Sequence, residues 1–217
     1  MELKNELFPT FNNYVIYWNE EMEVWDVLIS LSQIIGNIPN ENRIDNSAKI
    51  HPSAIINNSI IGKNVEVYEG VTIRDSIIMD GTVVGHCSEI ARSVLLKNCF
   101  IPRFNYVGGS FLGEGVRLGG QTALATKRHD DRPIKISWNK EIIKTNSWKF
   151  GSIIGNDTII AYSVHVNPGT VIGTNTIIYP FVDVRGFIPS NTMVSIQQKV
   201  RNIKRRNLPD LELLLEE

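Results

Sequence analysis

Residues 61–78 read IGKNVEVYEGVTIRDSII, and the spacing of the aliphatic residues in this stretch predicts the fold. Ile61, Val67 and Ile73 follow one another at intervals of six residues, and Ile78 starts the next set after five. A period of six fits neither an amphipathic helix nor a plain alternating strand. It is the period of a hexapeptide β-helix, in which three short strands complete one coil.

The same triple of aliphatic residues returns every 17 residues, and a second tract follows later in the chain. The triples are Ile44, Ile50 and Ile56; Ile61, Val67 and Ile73; Ile78, Val84 and Ile90; Leu95, Ile101 and Val107; Leu112, Leu118 and Leu124. The second tract has every step equal to six: Ile154, Ile160, Val166, Ile172, Ile178 and Val184. We therefore expect coils over 44–124 and 153–194, stacked at roughly 4.8 Å, within a β-helix domain of residues 44–195.

The residues between these anchors fit a triangular coil. The fourth residue after an anchor is usually small or β-branched, and an even offset places it on the same inward face of the strand. The third residue is often Gly, Asn or Asp, which tolerate the left-handed backbone of a tight corner. Such positions are Asn64, Gly70, Gly81, Asn98, Gly115, Asp157, Gly169 and Asn175.

Three segments fall outside the repeat. Residues 1–43 have apolar residues at helical spacing near 21–35, which predicts one amphipathic helix capping the end of the prism. Residues 125–152 are a polar excursion in which 134–138 and 142–148 could form a hairpin, and such loops are often functional or part of an interface. Residues 196–217 are predicted to form a basic tail followed by a short helix.

Composition excludes several classes of protein. The chain has 217 residues, 42% of them hydrophobic, and a net charge of −1, which is typical of a globular protein and argues against nucleic acid as the main partner. No apolar run is long enough for a membrane span and no signal-peptide pattern is present, so a cytoplasmic protein is expected. The spacing of Cys87 and Cys99 does not suggest a metal site, and Cys99 falls on an inward position.

Two stretches resemble a known family. Residues 102–110, PRFNYVGGS, and residues 167–173, NPGTVIG, are similar to motifs of hexapeptide acyltransferases, as is Lys149-Phe150-Gly151 at the end of the excursion. The resemblance is to the acetyltransferase domain at the C-terminus of bifunctional sugar-1-phosphate nucleotidylyltransferases, in the branch called UDP-N-acetylglucosamine pyrophosphorylase-related proteins. It covers roughly residues 44–195.

The resemblance implies more than the repeat does. It implies a left-handed coil, a homotrimer with sites between adjacent prisms, acetyl-CoA or another acyl-CoA as cofactor, and an amino-sugar phosphate or nucleotide-sugar as ligand. The Gly-rich start of the family's nucleotide-binding domain does not occur in the sequence, so uridylyl transfer is not expected of this chain.

The family's catalytic residues are only partly present. The motif His, which acts as general base in the family, corresponds to Arg103, and arginine has five donors but no acceptor. The two sugar-binding Asn of the family correspond to Arg117 and Thr126, whereas Asn105 and Tyr106 match the motif. These five residues are the candidate substrate contacts.

The coil period offers a different base. Glu69, His86 and Arg103 are 17 residues apart, so they should stand in one column on successive coils. A Glu beside a His orients the ring and raises its basicity, which makes His86 and Glu69 candidate catalytic residues. The plain alternative is a solvated ladder of compatible polar side chains at a corner.

Two further questions stay open from the sequence. Arg103 and Arg117 could bind an anion, such as a phosphate or carboxylate, or could pair with Asp130 or Asp131 of a neighbouring subunit. Arg201, Lys204 and Arg205 of the tail could contact CoA phosphates or could simply be solvated.

The sequence therefore supports two functions. The first is a CoA-dependent acyltransferase that acts on an amino-sugar phosphate or nucleotide-sugar and has diverged at the usual catalytic His. The alternative is a non-catalytic trimeric protein, derived from such an enzyme, that binds a sugar or anion or serves as a scaffold.

Overall fold

The computed structural model describes residues 3–14, 17–40 and 43–199. The predicted left-handed parallel β-helix is confirmed, with three flat sheets that form the faces of a prism. We number the faces by the first strand of each. Within the described residues no helix is both long and apolar enough to cross a membrane.

The strands of each face are parallel neighbours from successive coils. Face 1 contains β1 Lys49–Ile50, β4 Glu66–Val67, β7 Val83–Val84, β10 Phe100–Ile101, β13 Arg117–Leu118, β18 Ile159–Ile160, β21 Ile177–Ile178 and β24 Met193–Val194. Face 2 contains β2 Ile55–Asn57, β5 Thr72–Arg74, β8 Glu89–Ala91, β11 Tyr106–Gly108, β14 Ala123–Leu124, β19 His165–Val166 and β22 Asp183–Val184. Face 3 contains β3 Ile60–Ile61, β6 Ile77–Ile78, β9 Val94–Leu95, β12 Phe111–Leu112, β17 Ile153–Ile154, β20 Val171–Ile172 and β23 Phe187–Ile188.

The register follows the aliphatic period. Ile61 pairs with Ile78, and Ile78 pairs with Leu95, so the coils before the excursion advance by the predicted 17 residues. The aliphatic anchors point inward and form the core of the prism. All eight Gly, Asn and Asp residues predicted at corners have φ between 51° and 76°, in the left-handed region.

The excursion also forms as expected. A hairpin joins β15 Lys135–Trp138 to β16 Glu141–Lys144 in an antiparallel pair. Its apolar side packs on the later coils of face 3, where the ring of Trp138 lies 4.7 Å from that of Phe187.

The N-terminal segment differs from the prediction in two ways. The expected single helix over 21–35 is two short helices, α2 Val24–Ile29 and α3 Leu31–Gly36, because the backbone leaves the helical region at Ser30 (φ −92°, ψ 5°). The helix α1 Leu3–Leu7 and a 3-10 helix at Phe11–Tyr14 precede them.

The position of this segment was also predicted wrongly. It does not cap the end of the prism but lies along the earlier coils of face 3, where its apolar residues join those that point outward from β3, β6, β9 and β12. The physical reason is that these outward residues, such as Ile60, Ile77 and Phe111, are themselves large and apolar and need a cover. Face 3 is therefore covered within the chain.

Candidate active site at the corner between faces 1 and 2

The corner between faces 1 and 2 carries Glu69, His86 and Arg103 on three successive coils. Each follows a strand of face 1, and those strands pair with the regular 17-residue offset. The column predicted from the period is therefore present. The three side chains line one cleft of about 470 Å³, together with Tyr68 and Phe100.

Glu69 and His86 are in direct contact. Nδ1 of the ring lies 2.9 Å from Oε1 of the carboxylate, and both side chains are a little under half exposed. The carboxylate does not lie along the ring N–H direction, so the contact is a close approach rather than an aligned hydrogen bond. The pKa of Glu69 lies below its ordinary value because its own backbone N–H donates to it, with further contributions from the charges of His86 and His51.

The other side of the imidazole faces a residue that the sequence analysis did not select. Nε2 of His86 lies 3.3 Å from Sγ of Cys87, whose thiol is free and exposed. The ring of Phe104 meets the His86 ring edge to face, with centroids 5.4 Å apart. The only sequence signal for this cluster was the adjacency of His86 and Cys87 at a corner.

Arg103 and Arg117 are exposed cations on the same side of the prism. Among the described residues neither forms an ion pair or a side-chain hydrogen bond, unlike Arg74, which pairs with Glu89. The acids proposed as their partners already have cations nearby: Asp130 lies 2.6 Å from Arg128, and Asp131 lies 2.7 Å from Lys127. The hydrogen bond from Arg128 lowers the pKa of Asp130 to about 2.

The remaining predicted contacts lie elsewhere. Asn105 is buried, and its amide serves the coil: Nδ2 donates to the carbonyl of Pro102 at 3.0 Å, and Oδ1 accepts from the N–H of Thr122 at 2.9 Å. Tyr106 and Thr126 sit around Gly108, at the far end of face 2, and neither lines the cleft.

The structure therefore gathers Glu69, His86 and Arg103 into one cleft, and the other four described candidates do not line it: Asn105, Tyr106, Arg117 and Thr126. Arg201, Lys204 and Arg205 lie outside the described residues. Within the described part of the chain, no group of three or more His, Cys, Asp or Glu side chains could hold a metal ion.

Comparison with known proteins gives three findings. Residues 38–128 match the family model described as the GMPPB C-terminal domain. The "Bifunctional protein GlmU" of Methanococcus aeolicus is 30% identical over 185 residues, which cover 74% of this chain and 43% of that protein. The "Bifunctional sugar-1-phosphate nucleotidylyltransferase/acetyltransferase" of Sulfurisphaera tokodaii is 27% identical over 189 residues, covering 77% of this chain and 46% of that protein.

One match is to a solved structure. PerB from Caulobacter crescentus, in complex with CoA and GDP-perosamine, is 20% identical, with a TM-score of 0.36, and the match covers 73% of this chain and 56% of that one. The chain spans less than half the length of the two curated relatives. The repeat and its register identify the coils as a hexapeptide-repeat domain, and the curated matches show that it is similar to part of a bifunctional nucleotidylyltransferase/acetyltransferase protein.

Proposed function

We propose that the chain is a CoA-dependent acyltransferase that acts on the amino group of a sugar phosphate or nucleotide-sugar. The observation that carries this proposal is the Glu69–His86 contact of 2.9 Å inside a cleft that also contains the unpaired Arg103. The names of the relatives support the reaction type, since one of them is a sugar-1-phosphate nucleotidylyltransferase/acetyltransferase.

His86 acts as the general base in this proposal. The Glu69 carboxylate, 2.9 Å from Nδ1, stabilises the positive charge that the ring gains when Nε2 takes a proton from the reaction. An amine attacks a thioester only through its free lone pair, and a base next to it removes the proton as the new bond forms. Arg103, which occupies the position of the family's His, cannot do this because it has no acceptor.

Arg103 and Arg117 bind the anionic part of a ligand. A guanidinium forms paired hydrogen bonds with a phosphate, and two unpaired cations near one cleft favour such a group. The alternative, pairing with Asp130 or Asp131 of another subunit, is less favourable because both acids already contact a cation in their own chain.

The acyl donor is acetyl-CoA or another acyl-CoA. Its support is the acetyltransferase relatives and the CoA in the PerB structure. We assign contacts with CoA phosphates to Arg201, Lys204 and Arg205, because several neighbouring cations suit a polyphosphate.

The active form is proposed to be a homotrimer. The cleft is open on one side in the single chain, and among the described residues the N-terminal segment and the hairpin cover face 3 but not faces 1 and 2. Tyr106 lies away from the cleft of its own chain, so it can contact the acceptor only from a neighbouring chain, whereas Thr126 is buried. A trimer with sites between prisms provides both the missing wall and the Tyr106 side chain.

The test is release of CoA thiol from acetyl-CoA in the presence of amino-sugar phosphates and nucleotide-linked amino sugars. We expect the wild type to release thiol with one class of acceptor and His86→Ala to lose the activity. His165→Ala is the matched control, because His165 is exposed on face 2 and does not line the cleft. Full activity in His86→Ala would rule out His86 as the base.

A second function has one observation in its favour. Arg103 is exposed and unpaired at the position where the family has its base, which suits a protein that binds an anionic sugar without reacting. This function predicts that sugar phosphates raise the melting temperature, that Arg103→Ala removes the effect, and that no thiol is released with any acceptor.

A further inference from the structure

The imidazole of His86 has a different partner at each nitrogen. Nδ1 lies 2.9 Å from the Glu69 carboxylate, and Nε2 lies 3.3 Å from the Cys87 thiol. A nucleophile within reach of a base that has a carboxylate beside it is similar to the arrangement in enzymes that form covalent intermediates. The mechanism proposed above uses the first contact and leaves the second unexplained.

Neighbouring coils determine the position of the thiol. The backbone N–H of Cys87 donates to the carbonyl of Glu69 at 3.0 Å, and Cys87 has a φ of 52° at the corner. Its Sγ lies over Gly70 of the preceding coil, where a Cβ would come within 2.8 Å of the sulfur. A glycine at this position therefore leaves room for the thiol beside the ring.

The ring is held from the other side as well. Phe104, on the next coil, meets it edge to face with an interplanar angle of 81°. Glu69, Cys87 and Phe104 thus contact the imidazole from three successive coils. Glu69 and His86 of the cluster line the cleft that contains Arg103, and Cys87, which follows His86, is an exposed residue.

We propose that Cys87 is a catalytic nucleophile that accepts the acyl group from acyl-CoA as a thioester before the group passes to the acceptor. The proposal deepens the proposed function and rests on it for the identity of the donor. It changes the reaction from direct transfer to a two-step exchange through a covalent acyl-enzyme.

In the first step Nε2 of His86 takes the thiol proton, and the sulfur of Cys87 forms a bond to the thioester carbonyl carbon. The bond between that carbon and the CoA sulfur breaks, and the CoA thiolate takes the proton from His86. One thioester replaces another, so the bond types broken and formed are the same and no oxidant or reductant is needed.

In the second step the acceptor amine attacks the Cys87 thioester. Its proton passes to His86, the bond from the carbonyl carbon to Sγ breaks, and the Cys87 thiolate recovers the proton. The products are the amide and the free enzyme. One base serves both steps, which matches a site with a single imidazole beside the thiol.

The test uses the wild-type chain and acetyl-CoA alone, with no acceptor. We expect one acetyl group on the Cys87 peptide by mass spectrometry, removal of that group by neutral hydroxylamine, and release of one equivalent of CoA. Cys99 is the control in the same sample, because it is buried and should carry no acetyl group. We expect His86→Gln to slow the formation of the adduct by about 100-fold.

We expect Cys87→Ser to fold, because Ser163 occupies the equivalent corner position of a later coil with a φ of 55°. We expect this variant to form no thioester and to lose acyl transfer. If Cys87→Ser transfers acetyl groups at the wild-type rate, or if His86→Gln forms the adduct as fast as the wild type, the covalent step is wrong.

The outcomes also separate the two proposals. Transfer to an acceptor without an acetyl-Cys87 adduct overturns the covalent step and leaves the proposed function in place. An acetyl-Cys87 adduct that no amino sugar consumes supports the nucleophile and overturns the proposed acceptor. If neither the adduct nor acyl transfer is observed, both proposals are overturned.

Discussion

Cys87 and Cys99 show how one residue type acquires opposite properties in neighbouring coils. Cys99 points into the prism, where its thiol donates to the carbonyl of Gly113 at 3.1 Å. Burial raises the pKa of Cys99 to about 12, because the thiolate would lose its hydration. Cys87 lies at a corner with its sulfur exposed beside an imidazole. The two thiols should therefore differ in reactivity.

We predict that iodoacetamide at pH 8 alkylates Cys87 in the folded protein and leaves Cys99 unmodified, because the thiolate is the reactive form. Peptide mapping after a time course measures both sites, and the same reaction in denaturant should label both. Labelling of Cys99 at the rate of Cys87 under native conditions would contradict the buried position.

The same pKa shift gives a pH dependence with a definite sign. The folded-state pKa is above the ordinary value of about 9, so the contribution to stability is present below pH 9 and is lost as pH rises toward 12. Urea unfolding at pH 8 and pH 10 measures the loss. Cys99→Ala should show a smaller difference between the two pH values than the wild type, and an equal difference would contradict the assignment.

The sequence could predict the Glu69–His86 column but not the whole cluster. The 17-residue register brings residues of successive coils together whatever their side chains are. The direction in which the His86 ring points depends on the space above Gly70 and on the ring of Phe104. Side-chain packing of this kind has no periodic signature, so the contact with Cys87 appears only in three dimensions.

Buried serines form a ladder at the corner between faces 2 and 3. The residues are Ser59, Ser76, Ser93, Ser110 and Ser152. Each hydroxyl but the last accepts the backbone N–H of the next serine at 3.0–3.1 Å. The last hydroxyl, that of Ser152, has no hydrogen-bond partner among the described residues.

Two serines of this ladder differ in their hydrogen bonds and can be compared by substitution. Ser93→Ala removes the acceptor of the Ser110 N–H and a hydroxyl that donates to the Ala91 carbonyl at 2.9 Å, so we predict a loss of about 1–3 kcal/mol in the free energy of unfolding. Ser152→Ala removes a buried hydroxyl with no partner and should leave stability unchanged or raise it. Denaturant unfolding measures both, and equal losses would show that the hydrogen bonds do not stabilise the coil.

The N-terminal segment that covers face 3 is the element that the sequence predicted least well. The apolar spacing in residues 21–35 correctly indicated a buried side, since Val24, Val27, Leu31, Ile34 and Ile35 are all buried. It could not indicate which surface they bury, because a helical pattern carries no information on its partner. The apolar outward residues of face 3 were the available signal.

A matched pair of substitutions tests whether the N-terminal segment covers face 3. Ile77 and Ile55 both point outward from strands of the early coils, but Ile77 is 0% exposed beneath the N-terminal segment and Ile55 is 56% exposed on face 2. We predict that Ile77→Ala costs about 2–5 kcal/mol and that Ile55→Ala costs about 1 kcal/mol or less. Similar losses in the two variants would contradict a cover on face 3.

At the scale of the whole molecule, the three faces of the prism are not equivalent. The N-terminal segment covers the early coils of face 3, and the hairpin covers the later ones. Face 1 leaves large apolar side chains in solvent, among them Phe100, Ile159 and Met193. The corner between faces 1 and 2 adds Tyr162 and Phe181, whose rings are 5.0 Å apart. Exposed apolar residues that are grouped in this way favour association.

We predict a homotrimer that assembles through this corner. Light scattering at micromolar concentration should give three times the chain mass for the wild type, and Phe181→Arg should lower that mass because it places a cation among apolar rings. The substitution is compatible with the coil, since Phe181 has a φ of 63° and Arg92 adopts 49° at another corner. Ile142→Arg is the control, because Ile142 is 65% exposed on the hairpin, away from this corner.

The assembly and the reaction are linked by the open cleft. Because the single chain leaves one side of the cleft in solvent, Phe181→Arg should lose acyl transfer together with the trimer, whereas Ile142→Arg should keep both. Circular dichroism of each variant checks that the coils remain folded. A monomeric wild type would overturn the trimer, and a monomeric Phe181→Arg that retains full activity would show that one chain forms the complete site.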